Sequence, residues 1–176
     1  MAFGEVTCMI FGGLSPVFTK TVGSKRMAFF WSALLCFVLS IAFFFIPMSP
    51  DYIWVMIALV ILTSIGIGIY SPLMWSMYAD VADYHTEHFG TSATGLIFSS
   101  GTMSQKFGTA ISGSLIALFL GWAGANMITD KMGNTVIDPT SITDSVLMMV
   151  WSLFSLFPAA IAFLLMVLSY KFPIKK

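Results

Sequence analysis

The sequence predicts an all-helical membrane protein with about five spanning helices, on three observations. Hydrophobic residues make up 58% of the 176 residues and charged residues only 9%, where a soluble globular domain carries about 25% charged residues. Several apolar runs reach the ~20 residues that a helix needs to cross ~30 Å of hydrocarbon. The ~10-residue alternating units of a membrane barrel are absent, and helices satisfy their own backbone in lipid, which offers it no partner.

Each element follows in order. The first apolar segment, 2–19, is the weakest, because Glu5, Thr7 and three glycines interrupt it. It spans if Glu5 lies at the water interface, and with no basic region ahead of it the segment does not read as a cleavable signal. Residues 20–27, KTVGSKRM, form a short basic turn before a second span over 28–46. The proline-rich turn 47–52, PMSPDY, leads into a third span, 53–77, that contains SIGIGIYSPLMW. Gly66, Gly68 and Pro72 are expected to weaken or kink this helix. Residues 79–94 read as a polar loop carrying Asp80, Asp83, His85, Glu87 and His88. A fourth span over 95–120 precedes the longest loop, 121–145, rich in Gly, Asn, Thr and Asp. The fifth span, 146–170, ends in the basic tail KFPIKK.

Basic residues set the sidedness. Lys20, Lys25 and Arg26 are separated from Lys171, Lys175 and Lys176 by four spans, and an even number of crossings returns the chain to the same side. That side holds six of the eight Lys and Arg residues, with Lys131 opposite. The basic turn, the 79–94 loop and the C-terminus are therefore expected on the cytoplasmic side and the N-terminus outside. An outside start without a basic anchor leads to the expectation that a further segment precedes Met1. Net charge is zero, which argues against a nucleic-acid partner. Cys8 and Cys36 lie in apolar segments, where a free thiol behaves as a small hydrophobe.

Lys106 is the eighth basic residue and the anomaly. It lies 11 residues after Gly95, about 16 Å along a helix and near the middle of the hydrocarbon. A central lysine costs roughly 2.5–3.5 kcal/mol on insertion scales. It should face a protein interior or watery cavity, either as a structural group satisfied by carbonyls or a carboxylate, or as a substrate- or ion-coupling group. At helical spacing Ser99, Thr102, Lys106, Thr109 and Gly113 form one polar or small stripe, and Gly101, Gln105, Gly108 and Ser112 a second. We read the first as cavity-facing and the second as helix packing, although the two roles could be exchanged. Tyr70 and Trp75 could stack on a sugar ring beside the interrupted third helix, or serve as packing and interface anchors. The stretch DVADYHTEH offers two histidines among carboxylates, but it lacks the H-E-x-x-H zinc spacing and reads as a solvated loop. No nucleophile elbow, P-loop or dinucleotide fingerprint is present, so no enzymatic activity and no metal site are expected.

The stretch YADVADYHTEHFGTSATGLIFSSGTMSQKFGTAISG, Tyr78 to Gly113, resembles the region joining helices 10 and 11 of glycoside–pentoside–hexuronide:cation symporters. These are the melibiose-permease-like branch of the major facilitator superfamily. Asp80, Asp83, Tyr84, Gly90, Thr94, Gly95, Lys106, Gly108 and Gly113 match the family pattern. The basic residues usual after the T-G are replaced by Thr91 and Ser92, and Thr86 stands where an acidic residue is usual. GGLSPVFTKTVGSKR, with Lys20, Gly23, Lys25 and Arg26, is similar to the family's helix 8–9 turn, and Pro158 and Tyr170-Lys171 are similar to helix 12.

The resemblance implies a fold of twelve helices in two bundles, of which this chain supplies helices 8 to 12, a partial C-terminal bundle. It implies a cell-membrane transporter that moves a sugar or glycoside with Na⁺ or H⁺ and needs no other cofactor. The cation-binding carboxylates and most sugar contacts would belong to a missing N-terminal bundle, leaving the fragment inactive alone. Lys106 inherits a position beside the cation and sugar sites, with Thr102 one turn away. The alternative is a small standalone membrane protein with a structural or assembly role, whose Lys106 pairs with another subunit's carboxylate.

Overall fold

The computed structural model describes residues 2–47, 49–129 and 135–171. Lys131, Lys175 and Lys176, used above for sidedness, lie outside the described residues. Five long helices follow in order: α1 (Ala2–Val22), α2 (Lys25–Phe44), α3 (Ile53–Phe89), α4 (Thr94–Trp122) and α5 (Asp144–Lys171). Among the described residues α2, α3 and α5 are long and apolar enough to cross a membrane. α1 and α4 do not meet that measure, and α4 carries Gln105, Lys106 and a run of Ser, Thr and Gly in its middle.

Two glycines set the helix boundaries at one end of the bundle. Gly23 has φ 87° and turns the chain between α1 and α2, and Ser24 then caps α2 by accepting the Met27 N–H at 3.2 Å. Gly90, with φ 68°, ends α3 in the left-handed conformation, its N–H donating to the Thr86 carbonyl at 3.0 Å. Glycine takes this conformation without the Cβ clash that other residues meet.

The expected loop over 79–94 is therefore corrected. α3 continues through YADVADYHTEHF to Phe89, and the connection to α4 shrinks to residues 90–93. Polarity marks where hydrocarbon ends, whereas helices end at capping residues, and the segment holds neither glycine nor proline before Gly90. At 37 residues, α3 is about 55 Å long, well beyond the ~30 Å of a hydrocarbon core. The 121–145 loop is also more ordered than expected. It folds into an antiparallel hairpin of β1 (Met127–Thr129) and β2 (Thr135–Ile137), pairing Met127 with Ile137 and Thr129 with Thr135.

Gly66, Gly68 and Pro72 do not interrupt α3, which runs as one helix through them. The glycines are instead points of close approach. A Cβ on Gly66 would stand 2.5 Å from the Cys36 Sγ of α2, and one on Gly68 would stand 2.7 Å from the Cys8 carbonyl oxygen of α1. Small residues thus let α1 and α2 seat directly on α3. Ala28, Phe29, Ile69 and Leu73 form the buried centre, flanked by Phe11 and Phe18 of α1 and Leu165 of α5. α5 lies along α2, with Phe43 stacked on Trp151 at 4.7 Å and Phe37 against Phe163 at 5.7 Å.

α4 stands apart from this core. Its N-terminal part rests on α3, where Gly101 is buried against the Tyr78 ring. Its C-terminal end is tied to α5 through a second cluster of Leu120, Ala125 and Val146. Between these anchors every residue from 102 to 111 is exposed.

Candidate functional site

Two groups of polar residues carry the candidate chemistry. The first lies at the end of the bundle where α1 turns into α2. Lys25 Nζ donates to both carboxylate oxygens of Asp80 at 2.8 Å, joining the basic turn to α3. The Asp80 side chain is 14% exposed, so the pair is shielded beyond the usual surface ion pair. Arg26 donates to the Tyr170 carbonyl at the end of α5, and its guanidinium stands 5.5 Å from the centre of the Tyr170 ring. The basic turn, the polar end of α3 and the end of α5 therefore meet at one end of the molecule, in the relation that the even count of crossings required. Lys20, Asp83 and Tyr84 are exposed there, and Tyr84 stacks on His88 at 3.9 Å. The His88 and His85 rings bond to the Tyr84 and Thr91 carbonyls through Nδ1. Gly90 closes α3, as described, and Gly95 opens α4 with free space where its Cβ would be.

The second group runs along the middle of α4. Ser99, Thr102 and Lys106 line an open depression of about 460 Å³ with Met103, Phe107 and Ala110. All six belong to α4, so this is a groove along one helix and not an enclosed pocket. Lys106 lies five residues beyond Gly101, about 140° round the helix from the face that packs on α3. The lysine is turned away from the rest of the chain. Thr102 Oγ1 donates to the Phe98 carbonyl at 2.7 Å, and Thr109 Oγ1 to the Lys106 carbonyl at 2.9 Å. Ser99 likewise donates to the Leu96 carbonyl. Each hydroxyl proton is thus engaged within the helix, while the oxygen keeps acceptor capacity toward a ligand. Among the described residues the Lys106 ammonium has no carboxylate partner. The face of α4 therefore offers a strong cationic donor flanked by hydroxyl acceptors, a combination suited to a hydroxyl-rich or anionic partner.

The second stripe packs only in part. Gly101 meets Tyr78, whereas Gly108 has nothing within 4 Å of its Cβ position and Gln105 is exposed. The Tyr70 ring lies edge-on to Phe29 at 5.8 Å, and Trp75 stacks on Phe98 of α4 at 6.1 Å. Both aromatic rings thus bear on protein neighbours, and neither shares the groove of Lys106. Tyr78, the seat for α4, carried no special signal in the sequence beyond its helical register with Trp75.

Fold and site define a polytopic helical membrane protein with a polar face on an otherwise apolar helix. The whole chain, residues 1–176, matches the MFS/sugar transport protein family, and the chain belongs to it. This is a family of transporters, in agreement with the symporter resemblance carried by residues 78–113. The chain is 39% identical over 101 residues to an uncharacterized 29.9 kDa protein in the crtE 3′ region of Pseudescherichia vulneris, a match that covers 57% of this chain and 36% of that protein. It is 29% identical over 121 residues to the putative glycoside/cation symporter YagG of Escherichia coli strain K12, covering 65% of this chain and 26% of the relative. The inner membrane symporter YicJ of the same strain is 30% identical over 100 residues, with 57% and 21% covered. The matches span no more than 36% of the length of these relatives. No solved structure matches.

Proposed function

We propose that the chain is a C-terminal part of a secondary symporter that moves a sugar or glycoside together with Na⁺ or H⁺. The observation that carries this reading is Lys106, placed mid-helix on a face turned away from the rest of the chain. A charge at that depth needs a polar partner or a watery cavity. An N-terminal bundle facing α4 would supply both, including the carboxylates that bind the cation. Lys106 then serves as the coupling group, with Thr102 as its neighbour toward the sugar and Ser99 and Thr109 lining the same cavity. Transport proceeds by alternating access, one bundle rocking against the other around a midplane site. In this arrangement the Lys25–Asp80 end faces the cytoplasm, with the C-terminus beside it, and this part alone does not transport.

The reading is tested by expressing the intact protein in membrane vesicles and measuring uptake of a panel of labelled glycosides under imposed Na⁺ or H⁺ gradients. Uptake of at least one glycoside stimulated by one of the two gradients supports it. Uptake of none, at verified membrane expression, contradicts it.

A further inference from the structure

We propose that the space between α2, α3 and α5 is a water-binding site inside the bundle, where ordered water joins the hydroxyls of Ser40, Thr63 and Tyr70. A cavity of about 200 Å³ lies there, lined by Ser40 of α2, Thr63, Ile67 and Tyr70 of α3, and Pro158 and Ala162 of α5. Ser40 follows Lys25 by 15 residues, about 22 Å along α2 and within the ~30 Å of hydrocarbon. Bulk water does not reach it at that depth.

Ser40 carries the inference. The residue is 5% exposed, yet among the described residues its hydroxyl has no hydrogen-bond partner. Ser32, Ser155 and Ser169, also buried in helices, each donate to a carbonyl three or four residues earlier. Among the described residues no side-chain oxygen or nitrogen is both sealed in protein and unpartnered. The Ser40 oxygen therefore opens on free space, and the cavity is the space that it lines. Tyr70 Oη likewise has no partner among the described residues, although its ring is fixed edge-on to Phe29. Thr63 Oγ1 donates to the Leu59 carbonyl at 2.8 Å and keeps its acceptor capacity. Pro158 has no N–H to give to the Phe154 carbonyl, which adds a backbone acceptor at the α5 wall.

Polar, roomy cavities hold water, whereas cavities that stay dry are apolar. At about 30 Å³ for each molecule the space admits several waters. A buried water needs two to four polar partners, and the three hydroxyls and the Phe154 carbonyl supply them. A hydroxyl left dry in the interior costs more than one bonded to water, and lipid offers no substitute. The inference rests on this cavity and does not depend on the transport reading.

The test combines two measurements on the full chain in lipid nanodiscs. X-ray radiolysis makes hydroxyl radicals from water in place, and mass spectrometry locates the modified residues. Tyr70 should be modified at a rate comparable to that of exposed Tyr84, despite its place between helices. Ser40→Val, which makes that wall apolar, should lower the Tyr70 rate several-fold and leave the Tyr84 rate unchanged. In thermal melts Ser40→Ala and Tyr70→Phe should each lower Tm by about 2–4 °C, because each removes a group bonded to water. In a dry cavity the same substitutions relieve an unpartnered hydroxyl and raise Tm. A low Tyr70 rate in the unaltered chain, a Tyr70 rate untouched by Ser40→Val, or a Tm raised or unchanged by either substitution overturns the water site. The rate in the unaltered chain decides the matter even where a variant fails to fold.

Discussion

The seam between α1 and α3 makes a quantitative prediction. A methyl group at Gly68 would lie 2.7 Å from the Cys8 carbonyl oxygen and 3.0 Å from the Cys8 Cα. Both are backbone atoms, so no rotamer change relieves the overlap and the two helices must move apart. At Gly12, on the facing helix, the same methyl would meet only the Gly68 oxygen, at 3.5 Å, an ordinary contact. Each substitution gains about 1 kcal/mol of helix propensity, so the difference between Gly68→Ala and Gly12→Ala isolates the steric cost. Overpacking of this kind costs about 1–3 kcal/mol, and for a chain of this size 1 kcal/mol shifts Tm by about 2–4 °C. Gly68→Ala should therefore melt about 2–12 °C below Gly12→Ala. The buried Cys36 thiol supplies the assay, as thiol-reactive fluorescence rises when the helices separate on heating in detergent. Equal melting temperatures for the two variants would refute the close α1–α3 contact.

Three further outcomes are expected. Gly90→Ala places a side chain at φ 68° and should cost about 1–2 kcal/mol, seen as a lower melting temperature and faster proteolytic cleavage within 90–93. Lys25→Met strands the largely buried Asp80 carboxylate and should destabilise more than Asp80→Asn, which leaves a neutral amide for Lys25; equal losses in thermal melts would place the pair among inert surface contacts. Asp138 accepts the Thr140 N–H at 2.9 Å, and this backbone bond holds its carboxyl below the ordinary value. Because the folded carboxylate is the favoured form, its contribution is full above the ordinary carboxylate range and is lost as pH falls through the lowered value. Hydrogen exchange of the Thr140 amide, corrected for intrinsic rate, should accelerate in that acid window and at all pH values in Asp138→Ala.

Much of the fold was legible because lipid imposes a simple rule on composition. Each apolar run falls within or across one of the five helices, and the count of crossings put the basic turn with Lys25 and Arg26 on the same side as Lys171 at the end of α5. What escaped was set by tertiary contact or by capping. The YADVADYHTEHF segment looked like a loop because it is polar, yet it stays helical until Gly90. Gly66 and Gly68 looked like weak points of α3 because glycine has low helix propensity, yet each is where another helix touches. The hairpin strands are three residues each, too short for alternation to register. Lys25 and Asp80 were both singled out, but nothing local joins residues 55 positions apart. The Lys106 stripe was visible from spacing alone, whereas only the packing of Gly101 on Tyr78 showed which way that stripe turns.

The central claim concerns Lys106 and is tested most directly by substrate accumulation against a gradient. Vesicles containing the intact protein should concentrate the glycoside when the coupling cation gradient is imposed. The Lys106→Ala protein, at equal expression, should fail to concentrate it. Full gradient-driven accumulation by that variant would contradict the role assigned to the lysine.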